Sequence, residues 1–600
     1  MSQIENESDS TLAEIAELEE INQQPLPQRA SYYAKKSGPG WLQGAITLGG
    51  GSLAGALYLG VFMGYNMMWL QPLAMILGVI MLSAISYVTL STGKRPFQAI
   101  KTHVSPVLAW AWIIATLMAN VVWCMPQFAL GTAAIQQNLM DGESSGTAST
   151  VLICVCLLLV GLVINYFYES GSKGIKVFEI VLKIMVGIVV LSFFGVAVAL
   201  ATSGSLDYKA IFAGFIPNPS MLGAPAPTFS EAIAATGGFA DFWNKEITSS
   251  QRDVMMTAFG TAVGINMTFL LPYSMLKKRW GKSHRSLAIF DLSIGLIVPF
   301  VLATACVVIA AASQFHSQFG DVLNEDGTVN EAMAGAFADQ ANKRVAFEVG
   351  EDFAYMSNEE KAAARDALPQ ADRELAAMLA KRDNMNLAQS LEPLTGPRIA
   401  QDIFGIGVLG MAVSTIIILM LINGFTLCEM FNRPGNKTLH LIGTLIAGLG
   451  GFLGPLYFWV DKSSKAALAI PTSVIGGAMI PIAYFTFLLL MNSKSLLGQA
   501  RPQGYQKLRW NILMAIATVI ATSGSIWVLL GKGTPGKIGI AILAVLFLIS
   551  GIVLSTIALV NARRDPRDVV SYRTSVITLV VSTVTLLIGL GTYAAFYDEF

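Results

Sequence analysis

Few side chains inside the apolar stretches of this sequence could do chemistry. The ionisable ones are Glu179, Lys183, Asp291 and Glu429, and a charge inside a bilayer is costly enough that each is a functional candidate by default. Spacing gives each a local explanation as well. Glu179 and Lys183 stand four residues apart, as do Glu429 and Arg433, the separation at which side chains pair on one helix face. Asp291 lies less than two turns past Arg285 and caps or pairs there. None is placed as a proton carrier at mid-membrane depth. The five cysteines, Cys124, Cys154, Cys156, Cys306 and Cys428, all fall in apolar stretches. Cys154-x-Cys156 turns its thiols about 200° apart on a helix, so they read as packing rather than as a metal site or a disulfide framework. Asn324-Glu325-Asp326-Gly327 has the look of a calcium loop, but its first ligand position would be Val322 and its twelfth Met333, and neither ligates calcium. With no phosphate loop, metal-protease helix or nucleophile–base pair, no catalytic residue, enzyme activity or cofactor is expected.

What remains is uncharged. Three consecutive glycines and a serine, Gly49-Gly50-Gly51-Ser52, interrupt an apolar run that opens Gly38-Pro39-Gly40-Trp41. Glycine costs about 1 kcal/mol against alanine in a helix interior, so the run invites unwinding. Unwound backbone survives at bilayer depth only where it is buried in protein or lines a cavity. The alternative is close helix packing through Gly51-x-x-x-Gly55, the small-residue pairing motif. A second apolar stretch contains Gly264, Asn266, Thr268 and Pro272: a flexible point, two polar side chains and a missing backbone donor, or else an ordinary proline kink. Interrupted helices in corresponding positions point to a midplane site. The binding candidates are therefore Gly49, Gly50, Gly51, Ser52, Asn266 and Thr268. Gln43, Asn120, Trp123, Gln127, Tyr273 and Asn423 are further residues that could line such a cavity. Trp123 and Gln127 share a face beside Pro126, with aromatic packing as the alternative, and Ser414-Thr415 reads as plain packing.

The elements that must position these residues follow from composition. The chain is 54% hydrophobic and 13% charged, against about 25% charged in soluble domains, and many windows are long and apolar enough to cross a bilayer. Spans are predicted at about 41–63, 66–92, 105–133, 149–168, 175–202, 253–276 and 285–313, then 402–428, 437–460, 466–491, 508–530, 537–561 and 573–597. Alternate short loops are basic, as at Lys94/Arg95/Lys101, Lys277 to Arg285 and Arg433/Lys437. By the positive-inside rule this puts the N-terminus in the cytoplasm and the C-terminus outside, in a multi-pass plasma-membrane protein. Its partners are membrane lipid and a transported ion or small solute, with no nucleic acid.

Residues 1–37, acidic at first and without a signal-peptide pattern, are expected to be a mobile cytoplasmic tail. Residues 203–252, rich in proline, glycine and serine, read as an irregular outside connection, and 314–400 as a helical extracytoplasmic cap with a capping box at Ser357/Glu360. The predicted fold is all-α: an inverted repeat 1 over 38–202 (spans 1–5), a repeat 2 over 253–491 (spans 6–10) and accessory spans 11–13 over 492–600.

Gly38-Pro39-Gly40 before a broken span, Phe290-Asp291 in span 7 and Glu429-Met430-Phe431 closing span 8 resemble the Nramp (natural-resistance-associated macrophage protein) family of proton-coupled metal transporters over spans 1–10. The resemblance implies two inverted five-helix repeats with metal bound between unwound parts of helices 1 and 6. The family's Asp-Pro-Gly-Asn on helix 1 is Gly49-Gly50-Gly51-Ser52 here, and its Met-Pro-His-Asn on helix 6 falls on Asn266-Met267-Thr268-Phe269. Asn266 thus stands at the sulfur position, while a shift of one residue would place Met267 there. A family histidine one turn on is Tyr273, and the helix 3 acidic pair falls near Met125 and Phe128. Metal ligands in this chain are accordingly unknown. An uncharged oxygen shell suits a partly hydrated hard divalent cation, Mg²⁺-like rather than Mn²⁺-like, moved by alternating access. It suits equally a small polar organic solute, and a non-transporting receptor or scaffold is the third reading.

Overall fold

The two predicted helix breaks divide the molecule. A computed structural model describes residues 14–140, 146–169, 172–204, 206–458 and 466–564, and among these it is helical almost throughout. Span 1 is a bent pair, Pro39–Thr47 and Gly50–Met63, whose axes differ by 51°. Spans 2–5 are Leu70–Thr92, Pro106–Leu139, Thr147–Tyr168 and Lys173–Thr202. Span 6 runs Gly237–Lys277 and leaves helical geometry between Gly260 and Ile265. Spans 7–12 are Lys282–Phe315, Arg398–Met430, Lys437–Tyr457, Ala469–Asn492, Gly504–Leu530 and Gly533–Leu554. The thirteenth predicted span, 573–597, lies outside the described residues. Spans 1–5 and 6–10 are inverted repeats, each opening on a broken helix. Burial separates the centre from the rim: 89% of span 6's apolar window is buried against 22% for span 4. The site is therefore built on span 6, and span 4 faces lipid.

Asp291 fixes the start of span 1. Its carboxylate accepts the backbone N–H of Gly38 at 3.0 Å and of Gly40 at 2.6 Å, donors that a helix N-terminus leaves unpaired and that favour a negative charge. The capping expectation thus holds, but the capped helix is span 1. Below it, spans 1 and 7 meet backbone to backbone. A Cβ on Gly40 would lie 2.1 Å from the Asp291 carbonyl oxygen and one on Gly44 2.0 Å from that of Gly295. In the second half of span 1, Gly51 and Gly55 lie against Thr261 and Ala258 of span 6. Unwinding and close packing, posed as alternatives by the sequence, occur together.

The other buried charges pair across helices rather than along them. Glu179 binds Lys278 at 3.0 Å, Lys183 donates to the Ser37 carbonyl at 2.8 Å, and Glu429 binds Arg95 at 2.8 Å. The expected Glu179–Lys183 and Glu429–Arg433 pairs are replaced by these links, which tie together the face carrying the basic loops. From residue 14 the segment expected as a mobile tail is helical: Leu18 and Tyr33 are buried, and Asn22 donates to the Ser283 carbonyl at 3.1 Å.

On the opposite face, residues 203–252 are more ordered than their composition predicts. Short helices occupy Tyr208–Ala213 and Ser230–Ala235, and the helix of span 6 begins at Ala240, about three and a half turns before the expected 253. The 314–400 cap contains helices Ala334–Val349, Asn358–Asp366, Gln370–Met378 and Asn384–Thr395, with the Ser357/Glu360 capping box formed. Its buried Arg344 pairs with Asp372 at 3.1 Å, and Trp243 of span 6 donates to the same carboxylate at 2.6 Å. Tyr58 of span 1 donates to the Arg382 carbonyl at 2.9 Å.

The backbone contact of spans 1 and 7 makes a direct prediction. Gly44→Ala, with its Cβ 2.0 Å from a carbonyl oxygen, should destabilise the purified protein by about 1–3 kcal/mol. Gly187→Ala, where a Cβ meets nothing within 4 Å, should be neutral or stabilising by up to about 1 kcal/mol. Thermal unfolding in detergent reads both, and equal melting temperatures would contradict the packing.

Candidate functional site

The break in span 1 orphans the last carbonyls of its first half, and all four find donors. Gly44 O accepts the Leu48 N–H at 2.9 Å, and Thr47 O accepts the Gly49 N–H at 2.9 Å together with the Ser52 hydroxyl. Ala45 O receives the Ser414 hydroxyl at 3.0 Å, and the Thr415 hydroxyl lies 3.3 Å from both Ala45 O and Ile46 O. Ser414 and Thr415, expected as plain packing, are thus the outside donors that let span 1 unwind. Gly49 has extended backbone (φ −132°), so the glycine answers to space: a Cβ there would lie 2.3 Å from Thr415 Oγ1.

At the other side of each break one N–H is covered by a side-chain amide. Gln127 Oε1 accepts the Gly50 N–H at 2.7 Å, and Asn266 Oδ1 accepts the Met267 N–H at 2.9 Å. Thr47 donates its hydroxyl to the Met267 sulfur at 3.2 Å, joining the two breaks directly.

Between them lies a cavity of about 40 Å³, counted by the positions a water centre can take. That is room for about three waters. Thr47, Gly49, Gly51 and Ser52 of span 1, Trp123, Pro126 and Gln127 of span 3, Thr261, Gly264, Asn266 and Met267 of span 6, and Thr415 of span 8 line it. Among the described residues no group of three or more His, Cys, Asp or Glu side chains comes together. The cavity's electrostatics are those of carbonyls, hydroxyls, amides and one thioether.

Six of the residues singled out from sequence meet here: Gly49, Gly51, Ser52, Asn266, Trp123 and Gln127. Gly50 contributes only the N–H held by Gln127. Thr268 turns away, donating to Ile265 O and accepting the Trp112 Nε1–H at 3.0 Å. Tyr273 is stacked on Phe269 at 4.3 Å, and Gln43, Asn120 and Asn423 are buried outside the lining. Thr47, Thr261, Met267 and Thr415 are additions. Met267 was within reach of the sequence through the one-residue shift in register. It supplies a sulfur that corrects the all-oxygen shell expected there.

A second chamber of about 200 Å³ lies on the cap face. Phe62, Glu246, Ser250, Asp253 and Ile470 line it from the spans, Lys343 and Lys381 from the cap. Lys343 pairs with Glu246, and Asp253 with Lys532 at 2.5 Å. Burial, then the neighbouring Lys343 ammonium, push the Lys381 ammonium below its ordinary value. Asp253 and Gly260 are on the same helix, about 10 Å apart along its axis, so the chamber stands on the seam leading from the cap to the cavity.

Two inverted repeats that meet at broken helices around a midplane cavity are the architecture of a secondary transporter. The sequence profile of natural resistance-associated macrophage protein-like (Nramp) proteins matches residues 40–342 and 375–531, and the chain belongs to that family. The match reaches through span 11 and into the cap, beyond the spans 1–10 expected from motifs. A manganese transporter of Eremococcus coleocola, solved with an aromatic bis-isothiourea substituted compound, shares 13% identity. It superposes with TM-score 0.54 over 92% of this chain and 94% of its own. A histidine-to-alanine mutant of that transporter aligns at 13% identity and TM-score 0.56, over 96% and 97%. At such identity the likeness is one of fold. A search of curated proteins gives no significant match.

The Gln127 bond predicts a stability difference. Gln127→Leu leaves the buried Gly50 N–H without an acceptor and should cost about 1–3 kcal/mol. Gln127→Glu, measured at a pH low enough to keep the buried carboxyl neutral, keeps the acceptor and should cost less. Thermal unfolding of the two variants in detergent checks the order, and the reverse order would contradict the assignment.

Proposed function

We propose that this chain carries a divalent metal cation across the membrane by alternating access, holding it through uncharged oxygens and retained waters. The observation that supports this most is the pairing of the break termini. One N–H at each end that would attract an anion is taken, Gly50's by Gln127 Oε1 and Met267's by Asn266 Oδ1. The carbonyl ends of two half-helices, at Thr47 and at Gly260–Thr261, border the cavity. A helix C-terminal end carries roughly half a negative charge on its free carbonyls; those before the first break already accept donors, so the end at Gly260–Thr261 is the one that attracts a cation without a carboxylate.

Size supports the same reading. A cavity of about 40 Å³ suits an ion with a few waters, as magnesium prefers, and sites for organic ligands are far larger, about 300–1,000 Å³. Thr47, Ser52 and Asn266 are the proposed oxygen contacts, directly or through water. The Met267 sulfur already accepts from Thr47 and is the softer contact that widens the range from Mg²⁺ towards Mn²⁺. The basic face is the cytoplasmic one on this reading. With no carboxylate or imidazole in the lining, transport proceeds without proton coupling.

Uptake of Mg²⁺ and Mn²⁺ into proteoliposomes of the full chain, under an imposed pH gradient, tests the proposal. Saturable entry of either ion is expected, with a pH probe silent. Ser52→Ala and Asn266→Ala should each lower entry about tenfold, the equivalent of about 1.4 kcal/mol. Met267→Leu should leave Mg²⁺ entry within about twofold, since the swap conserves volume. Folded protein that carries neither ion would overturn the proposal.

A further inference from the structure

One helical turn from the cavity, towards the basic face, the same spans carry a second polar layer. Gln43 stands four residues before Thr47, Asn120 three before Trp123 and Asn423 four after Leu419, and Thr47, Trp123 and Leu419 all line the cavity. Three or four residues is the spacing that keeps a helix face, and each step here runs to the end of its span nearer the basic loops. Asn266 joins the two levels. Its Nδ2 donates to Asn120 Oδ1 at 3.0 Å, and Asn120 Nδ2 donates in turn to Asn423 Oδ1 at 3.0 Å.

The chain of amides is incomplete. Asn423 Nδ2 has no partner among the described residues, nor has either amide atom of Gln43, although both side chains are 0% exposed. Further along, the Tyr273 hydroxyl faces the Glu429 carboxylate, one oxygen of which Arg95 holds at 2.8 Å. Unpaired amides are expensive in a membrane interior, where leucine or methionine would serve packing better. Groups of this kind are accounted for if another conformation of the protein pairs them.

We infer that Gln43, Asn120 and Asn423 form an inner station for the departing hydrated divalent cation. It is occupied when the first half of span 1 parts from spans 3 and 8. Amide oxygens accept hydrogen bonds from the water ligands of a divalent ion without displacing them, and the Gln43 and Asn423 N–H groups bind the following water. The layer then leads to Glu429, the carboxylate beside Arg95 at the basic face. This station rests on the cation reading proposed above, but it is separate from the cavity and is tested apart from it.

Mn²⁺ is the probe, and the full-length chain is used throughout. Equilibrium Mn²⁺ binding in detergent reports the cavity, and the maximal rate of Mn²⁺ entry into proteoliposomes reports passage. Gln43→Met, close in shape and without the unpaired amide, should bind Mn²⁺ within twofold of the parent and melt at the same or a higher temperature. It should carry Mn²⁺ at least fivefold more slowly. Asn423→Leu should show the same split between binding and passage, and it decides alone if Gln43→Met fails to fold. Entry at the parental rate in the folded variants would overturn the station. So would a loss of binding in proportion to the loss of entry, because the amides would then belong to the cavity. A parent protein that neither binds nor carries Mn²⁺ would strike the cation reading itself, and the station with it.

Discussion

A helix broken inside a membrane must find partners for every backbone group it frees, and that requirement shapes the centre of this protein. Water is not at hand to satisfy them. The carbonyls at the end of span 1's first half are met by hydroxyls of Ser52, Ser414 and Thr415, and one N–H beyond each break by Gln127 and Asn266. These partners come from spans 1, 3, 6 and 8, so the breaks hold those spans in register. The glycines follow from the same demand. Gly49 is where it is because Thr415 must come close, and Gly40 and Gly44 because span 7 supplies both a cap through Asp291 and a flush backbone surface. The cavity is the space this arrangement leaves, and its polarity is set by which backbone ends the amides have already taken.

The two faces of the membrane are secured differently. On the basic face single ion pairs, Glu179–Lys278 and Arg95–Glu429, bridge spans that are distant in sequence. Partly buried pairs of this kind are costly to break by removing one partner, which suits links between moving parts that keep a defined closed state. On the cap face the contacts are denser: the buried Arg344–Asp372 pair with Trp243, the Tyr58–Arg382 bond, and the charged walls of the outer chamber. The cap packs over the seam where spans 1, 6 and 10 meet. Its charges, including Lys381, therefore stand on the line between that face and the cavity.

Much of this was legible in the sequence because the signals are strong where lipid is the solvent. Apolar windows located the spans, and glycine runs together with Gly264 and Asn266 located the breaks. What was not legible depends on contacts distant in sequence. The start of span 6 was placed too late because Trp243, Ile247 and Val254 are interleaved with Glu246, Arg252 and Asp253, and a window average cannot see a helix with one charged face. Glu179, Asp291 and Glu429 each had a plausible partner nearby in sequence and chose a distant one. Ser414 and Thr415 looked like any hydroxyls bonded within their own helix. Met267 was hidden by a one-residue ambiguity in register, which its place in the cavity lining and its Thr47 contact resolve.

On this reading a divalent cation occupies an uncharged cavity between the two breaks. Anomalous scattering from crystals of the purified chain soaked in Mn²⁺ measures this most directly. A peak bounded by Thr47, Gly49, Thr261 and Asn266 is expected, with water density completing its shell. A cavity without a peak, with Mn²⁺ bound only at the carboxylates of the outer chamber, would contradict it.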